Sequence, residues 1–315
     1  MTAANRAQPS AVSLEALAGS PRRARRETLI RWAFQGAAMF SVIISVLIIY
    51  ALLAEASVFI REVDWSVTWG QIGWCPRRGL YDMPTLLIAS LWTTVIAMLV
   101  ATPLGLGAAV YLSEYARPGA RKILKPILEV LAGIPSVVLG FFALLWIAPN
   151  IVGNIGGEAG RGSIMAAGIG VGILTIPLVA SISEDAMAAD PNMLREASAG
   201  MGARKATTTL RVVLPAAISG LVAAFIVAVS RALGETMVVF MAGGAADAAI
   251  FSDSPYDGSL TMTAAMASLA SGTDSVVGEA LTFQSLFFVG LVLFMITLLL
   301  NTLGNRFVAR IREEY

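Results

Sequence analysis

The stretch "EDAMAADPNMLREASAGMGARKATTTLRVVLPAAISG", residues 184–220, decides how the fold is read. Asp190 followed by Pro191 is a helix-start signal: a side chain able to cap, then a ring whose φ is already helical. Met193, Ala197 and Met201 recur at i, i+4 and i+8, which makes an apolar stripe on one face of a short helix. Gly202 follows where a left-handed residue would close that helix. Ala203–Arg211 turns the chain back, and Pro215 falls where the first turn of the next helix begins, a place where a missing N–H costs little. The stretch reads as a short helix over about 190–204, held out between two apolar runs. Its methionines suit adaptable contacts with a partner.

Outward from this loop, the uncharged runs are Trp32–Leu53, Met83–Ser113, Val130–Gly157, Gly162–Ser183, Val212–Ser230 and Ala280–Asn305. Each reaches the roughly 18 residues that a spanning helix needs. The whole chain is 57% hydrophobic and only 14% charged, against about 25% charged for a soluble domain. The sequence therefore predicts an all-α integral membrane protein with six transmembrane helices, over about 32–54, 85–113, 128–150, 163–184, 213–244 and 281–304. If both termini are cytoplasmic, seventeen of the 22 basic residues lie inside. Arg61, Arg77, Arg78 and Arg161 lie outside, and Arg231 belongs to neither side. That asymmetry places both termini inside.

Residues 1–31, rich in Ala, Arg, Pro and Ser, are expected to be a solvated cytoplasmic tail ahead of the 32–315 membrane region. Their "RRARR" cluster (22–26) reads first as a positive-inside anchor, and it also suits contact with anionic lipid. The first run lies behind that tail with no small-residue cleavage pattern after it, so it reads as a retained anchor. Trp65, Trp69 and Trp74 in the first outer loop suit the headgroup level. "TMTAAMASLAS" (261–271) suggests a short helix in the third outer loop, among Asp247, Asp253, Asp257, Asp274 and Glu279. "AAGIGVG" (166–172) supplies small residues for close helix packing. The chain has no His and one cysteine, Cys75, which excludes an internal disulfide and Cys–His chemistry. None of Lys122, Lys125 and Lys205 ends a Gly-rich phosphate-binding loop, so the chain carries no nucleotide cradle of its own. Neither a nucleophile–base constellation nor a metal-ligand cluster is visible, which argues against an enzyme.

"EASAGMGARKATTTLRVVLPA" (196–216) resembles the EAA signature of ABC-importer permeases, with Glu196, Ala197, Ser198, Gly202, Val212, Leu214 and Pro215 in the motif positions. Ser198 and Val212 replace the family's Ala and Ile. "AAVYLSEYARPGARK" (108–122), "PILEVLAGIPSVVLGFFAL" (126–144) and "RALGETMVV" (231–239) resemble the permeases of the phosphate-uptake (Pst) importer, its PstC-type subunit in particular. The likeness covers roughly residues 85–305. It implies a type I ABC importer permease fold in the bacterial inner membrane. It also implies a homologous PstA-type permease partner, two PstB-type ATPases inside and a PstS-type phosphate-binding protein outside. No cofactor would be bound by this chain, since ATP and Mg would act on the ATPase; no nucleic acid is expected. Met193, Glu196, Ala197, Ser198, Met201 and Gly202 would then form the coupling helix that docks on the ATPase.

"SRALGETM" (230–237) puts Arg231 and Glu235 inside an apolar run, four residues apart and so on one helix face if the helix continues. An uncompensated Arg in a bilayer costs roughly 2.5–3.5 kcal/mol on insertion scales, so it persists where it meets a polar cavity or a partner. Its guanidinium fork matches two phosphate oxygens. Arg231 and Glu235 are the candidate pathway residues, and in the Pst family the Arg and Glu of this motif are regarded as important for transport. Counted from Leu214, Arg231 lies roughly 25 Å along its helix, towards the outer face; a structural ion pair or an interfacial Arg is the other reading. Ser136, beside Pro135, and Thr236 are further pathway candidates, because proline can loosen a span and expose polar groups to a cavity. Glu114, Glu129, Glu184 and Asp185 read as charges on the inner surface. Two alternatives stay open: a permease for another oxyanion such as sulfate or molybdate, and a transporter subunit that works without an ATPase.

Overall fold

The computed structural model describes residues 21–156, 162–244, 249–271 and 281–311. Arg6, Arg161, Arg312, Asp247, Asp274, Glu279 and the first twenty residues of the expected tail lie outside them. The chain divides into two compact units, residues 1–52 and 53–315. Helix α1, Pro21–Glu62, begins well before the expected span, so residues 21–31 are helical.

Among the described residues, four helices are long and apolar enough to cross a membrane, and up to six spans result if each of two bent pairs is counted as one. The four are α1, α3 (Met83–Val110, prolonged by a wide π-type turn over Tyr111–Tyr115), α6 (Ile164–Ala188) and the final helix α13 (Thr282–Ile311). Between α1 and α3 lie the single turn α2 (Trp65–Thr68) and a two-stranded antiparallel hairpin, β1 (Trp74–Cys75) with β2 (Leu80–Tyr81). Trp74 exchanges both backbone hydrogen bonds with Ala249 and is 1% exposed, so this ring is a core residue and not a headgroup anchor. Trp65 and Trp69 do remain exposed.

The third expected span is not straight. Helix α4 (Pro118–Ala132) and helix α5 (Ser136–Phe142, continued by π-type turns to Val152) meet at 85°. Gly133 and Pro135 cause the break: the residue before a proline avoids helical backbone, and Pro135 stands at the start of the new helix. The expected continuous span over 213–244 is broken twice. The segment Lys205–Ala216, containing α8 (Lys205–Thr208) and α9 (Leu214–Ala216), meets α10 (Ile218–Leu233) at 71°. Pro215 has no N–H for the carbonyl one turn back and its ring crowds that turn. A second break over Gly234–Thr236 separates α10 from α11 (Met237–Ala242).

Helices α3 and α6 form the central packed pair of the second unit. A Cβ on Gly168 would lie 2.8 Å from the Ile96 Cβ, and one on Gly172 2.8 Å from the Val100 Cβ. The small-residue run thus provides the close approach its composition suggests. Around this pair, Phe59 stacks on Phe288 at 4.8 Å between ring centres and meets Tyr81 edge-on. The expected outer-loop helix is α12 (Met262–Ala270), capped by Thr261, whose hydroxyl accepts from the Ala264 N–H.

Candidate functional site

The short loop helix is α7, Asn192–Gly200. The predicted Asp190 cap does not form: Pro191 takes the cap position and no side chain caps the helix. One Asp190 carboxylate oxygen is buried without a partner among the described residues. Burial pushes the Asp190 carboxyl above its usual range; Arg195 opposes that shift and Glu114 adds to it. The other end closes as the sequence predicts. Gly202 has φ +78°, its N–H donates to the Ala199 carbonyl at 2.9 Å, and the Ala203 N–H donates to the Ser198 carbonyl at 3.1 Å. This is the six-to-one and five-to-two pairing of a Schellman closure.

Met193 and Met201 are 76% and 86% exposed, and Glu196 and Ala197 are exposed beside them. Ser198 departs from the expectation of a docking residue: it is buried, with its hydroxyl 2.8 Å from the Thr208 hydroxyl. It ties α7 to the returning chain. Sequence reasoning missed Arg195, whose Nε and Nη2 reach Glu114 at 3.2 and 2.9 Å. Its Nη1 donates to the Asp190 carbonyl at 3.0 Å and its Nη2 to the Met187 carbonyl at 2.7 Å. One guanidinium fork thus fixes α7 to the ends of both central helices, the fixed geometry for which Arg surpasses Lys.

Arg231 lies in the last turn of α10, and the helix ends two residues later. Glu235 therefore falls in the break and not on a shared face; Arg231 makes no ion pair or hydrogen bond among the described residues. Glycine at 234 is a poor helix residue, and the Glu235 carbonyl freed there accepts from the Thr263 hydroxyl at 2.8 Å. Ser136 begins α5 and is half-buried; Thr236 precedes α11, its hydroxyl donating to the Gly234 carbonyl at 3.3 Å.

Arg231 lines a cavity of about 260 Å³ with Leu112, Lys125, Glu129, Ser181 and Glu184 among its walls. Glu235, Ser136 and Thr236 are not among its lining residues. The cavity runs from Leu112 just past the end of α3 and Glu184 near the end of α6 to Leu174 and Pro177 in the middle of α6, with Lys125 and Glu129 of α4 on another wall. The straight path assumed in the count from Leu214 is absent, because the chain turns by 71° between Ala216 and Ile218. Glu184, expected on the surface, is 0% exposed: Arg121 and Lys125 both bridge to it, the latter at 2.7 Å. Lys125 also reaches Asp185 at 3.0 Å. The spacing of Arg121, Lys125 and Glu129 at i, i+4 and i+8 on α4 was the available sequence signal for this polar face.

A packed pair of apolar helices, two broken spans and a short helix pinned at their loop ends make a membrane permease subunit. The chain belongs to the family of binding-protein-dependent transport system inner membrane components, whose model matches residues 101–313. A probable ABC transporter permease protein, YqgH of Bacillus subtilis, is 32% identical over 79% of this chain and 77% of its own length. The phosphate transport system permease protein PstC 1 of Mycobacterium tuberculosis is 31% identical over 75% of each chain. The PstC of Mesorhizobium japonicum is 31% identical over 76% of each. Among solved structures, the MetNI methionine ABC transporter in inward facing conformations gives a TM-score of 0.53 at 20% identity, over 73% of this chain and 94% of that one. That likeness shows the fold, and it matches the type I permease architecture expected from the loop motif.

Proposed function

We propose that this chain is the permease subunit of an ATP-driven importer of inorganic phosphate and forms half of its pathway. The observation that carries the reading is an arginine without a partner among the described residues, lining a cavity walled by α4 and by the second half of α6. Arg231 is exposed in this chain; a guanidinium inside an apolar run persists where it meets a polar cavity or a partner, and its fork of donors matches two phosphate oxygens. The relatives named as phosphate permeases support the choice of anion. In this reading a PstA-type permease supplies the other half of the pathway. A PstS-type protein delivers phosphate from outside, and two PstB-type ATPases, where ATP and Mg act, dock on Met193, Glu196, Ala197 and Met201. Both termini lie on the ATPase side.

The mechanism assigns separate tasks to two sites. Arg231 offers two donors to the phosphate oxygens in transit, while its single charge keeps the binding weak enough for release. Helix α7 receives the movement of the ATPase, and Arg195 hands it to α3 and α6 through Glu114 and the Met187 carbonyl. The test is phosphate-stimulated ATP hydrolysis and phosphate uptake in vesicles holding the full complex. Arg231→Ala should lower both responses roughly tenfold or more while the complex stays assembled. Intact phosphate uptake in that variant would refute the role of Arg231, and competition by sulfate or molybdate would identify another oxyanion as cargo.

A further inference from the structure

Glu184 is the one fully buried carboxylate in the cavity wall, and the pathway reading leaves it without a task. Its two cations are not buried with it: the side chains of Arg121 and Lys125 are 41% and 32% exposed. A charge pair kept only for packing gains little over an apolar replacement, because the desolvation of the carboxylate offsets most of the attraction. Here the anion is sequestered while the cations stay reachable. Lys125 lines the same cavity as the unpaired Arg231, with the Ser181 hydroxyl one turn from Glu184 on the same helix. The cavity, about 260 Å³, has room for an oxyanion with some of its water.

We infer that Glu184 is a resident counter-anion of an inner phosphate site formed by Lys125, Arg231 and Ser181. This rests on the phosphate-permease reading. With the site empty, Glu184 holds Lys125 and Arg121, and the exposed Asp185 shares Lys125 at 3.0 Å. Phosphate held by Arg231 and Ser181 competes with Glu184 for Lys125, and its departure returns Lys125 to Glu184. The carboxylate therefore lowers the affinity of the last site and prevents phosphate on the ATPase side from refilling it. A lysine suits this exchange better than an arginine, since its ammonium is a mobile point charge that swings between two acceptors.

The experiment uses the full complex in vesicles and measures how much inorganic phosphate on the ATPase side is needed to inhibit ATP-driven uptake. Glu184→Gln keeps the side chain's size and removes its charge, and should lower the inhibiting concentration about tenfold or more, the effect of losing one competing charged hydrogen bond. Lys125→Gln added to that variant should reverse the change. Lys125→Gln alone, in which Glu184 keeps Arg121, should raise the inhibiting concentration, so the inference stays testable if Glu184→Gln fails to assemble. An assembled Glu184→Gln complex with unchanged inhibition overturns it, as does a shift that persists without Lys125. Comparison of neutral with anionic-lipid vesicles separates the two sources of phosphate. A shift present only with anionic lipid assigns the site to headgroups and overturns the cargo assignment. If the wild-type complex fails to carry phosphate, the permease reading itself falls. If it carries phosphate and only the Glu184 variants are silent, the gate alone falls.

Discussion

Arg231 and Asp190 are both polar groups left unpaired by the described residues, and the consequences differ because their surroundings do. Arg231 faces a cavity, so its free donors are available to a ligand. Loss of a charge-assisted hydrogen bond costs about 1.5–3 kcal/mol, which corresponds to roughly tenfold or more in the phosphate response of Arg231→Ala. Arg231→Lys keeps the charge without the fork and should recover only part of it in the same assay. Asp190 instead has a carboxylate oxygen shut against protein. Its carboxyl is shifted upward by burial, so folding penalises its charged form relative to the unfolded chain. The stability this group contributes is complete below the ordinary carboxylate range and is lost as pH rises through the shifted value. Asp190→Asn should therefore raise the thermal unfolding temperature of the purified protein at neutral pH, and the gain should shrink as pH falls. An equal gain at every pH would count against the assignment.

Among the elements, the α3–α6 pair gives the sharpest packing prediction. Gly172→Val would place its Cβ 2.8 Å from the Val100 Cβ and 3.0 Å from the Ala97 carbonyl oxygen. Overpacking of this kind costs about 1–3 kcal/mol, read as earlier thermal unfolding. Gly107→Ala, on the open side of α3 with nothing within 4 Å of the added atom, should be neutral or stabilising by about 0.5–1 kcal/mol. For α7, Arg195→Ala should leave ATP hydrolysis by the complex largely intact while phosphate moved per ATP falls, and Arg195→Lys should not restore the ratio. The long helices and the loop helix were legible because apolar length and the Gly202 closure are local signals. The bends were only half legible: Pro135 and Pro215 were visible, but a proline is compatible with a kinked span or a full change of direction, and only packing decides. The Arg231–Glu235 face does not form, because the helix ends at Leu233 and the next one begins at Met237. Arg195–Glu114 and Lys125–Glu184 join residues 81 and 59 positions apart, beyond the reach of any helical spacing rule.

At the scale of the whole molecule, charge distribution makes a topological prediction that the sole cysteine can test. Cys75 lies in the hairpin strand Trp74–Cys75, on the side expected to face outwards, and is partly exposed. In oriented membranes a bulky, membrane-impermeant maleimide should reach Cys75 from the outer side only. A Met193→Cys substitution in a Cys75→Ser background should react from the opposite side only; labelling of both from one side would refute the orientation. The small size of α7 has a further consequence for assembly. Nine residues make a helix about 13 Å long, which offers far less than the roughly 800 Å² per partner of a stable interface. One such helix is a weak grip. In the proposed assembly the ATPase pair is held by avidity: two permeases present one helix each, and the second contact forms at the high effective concentration set by the first. Each helix can then slip and re-seat during a cycle of opening and closing without the complex falling apart, and a permease separated from its partner should release its ATPase.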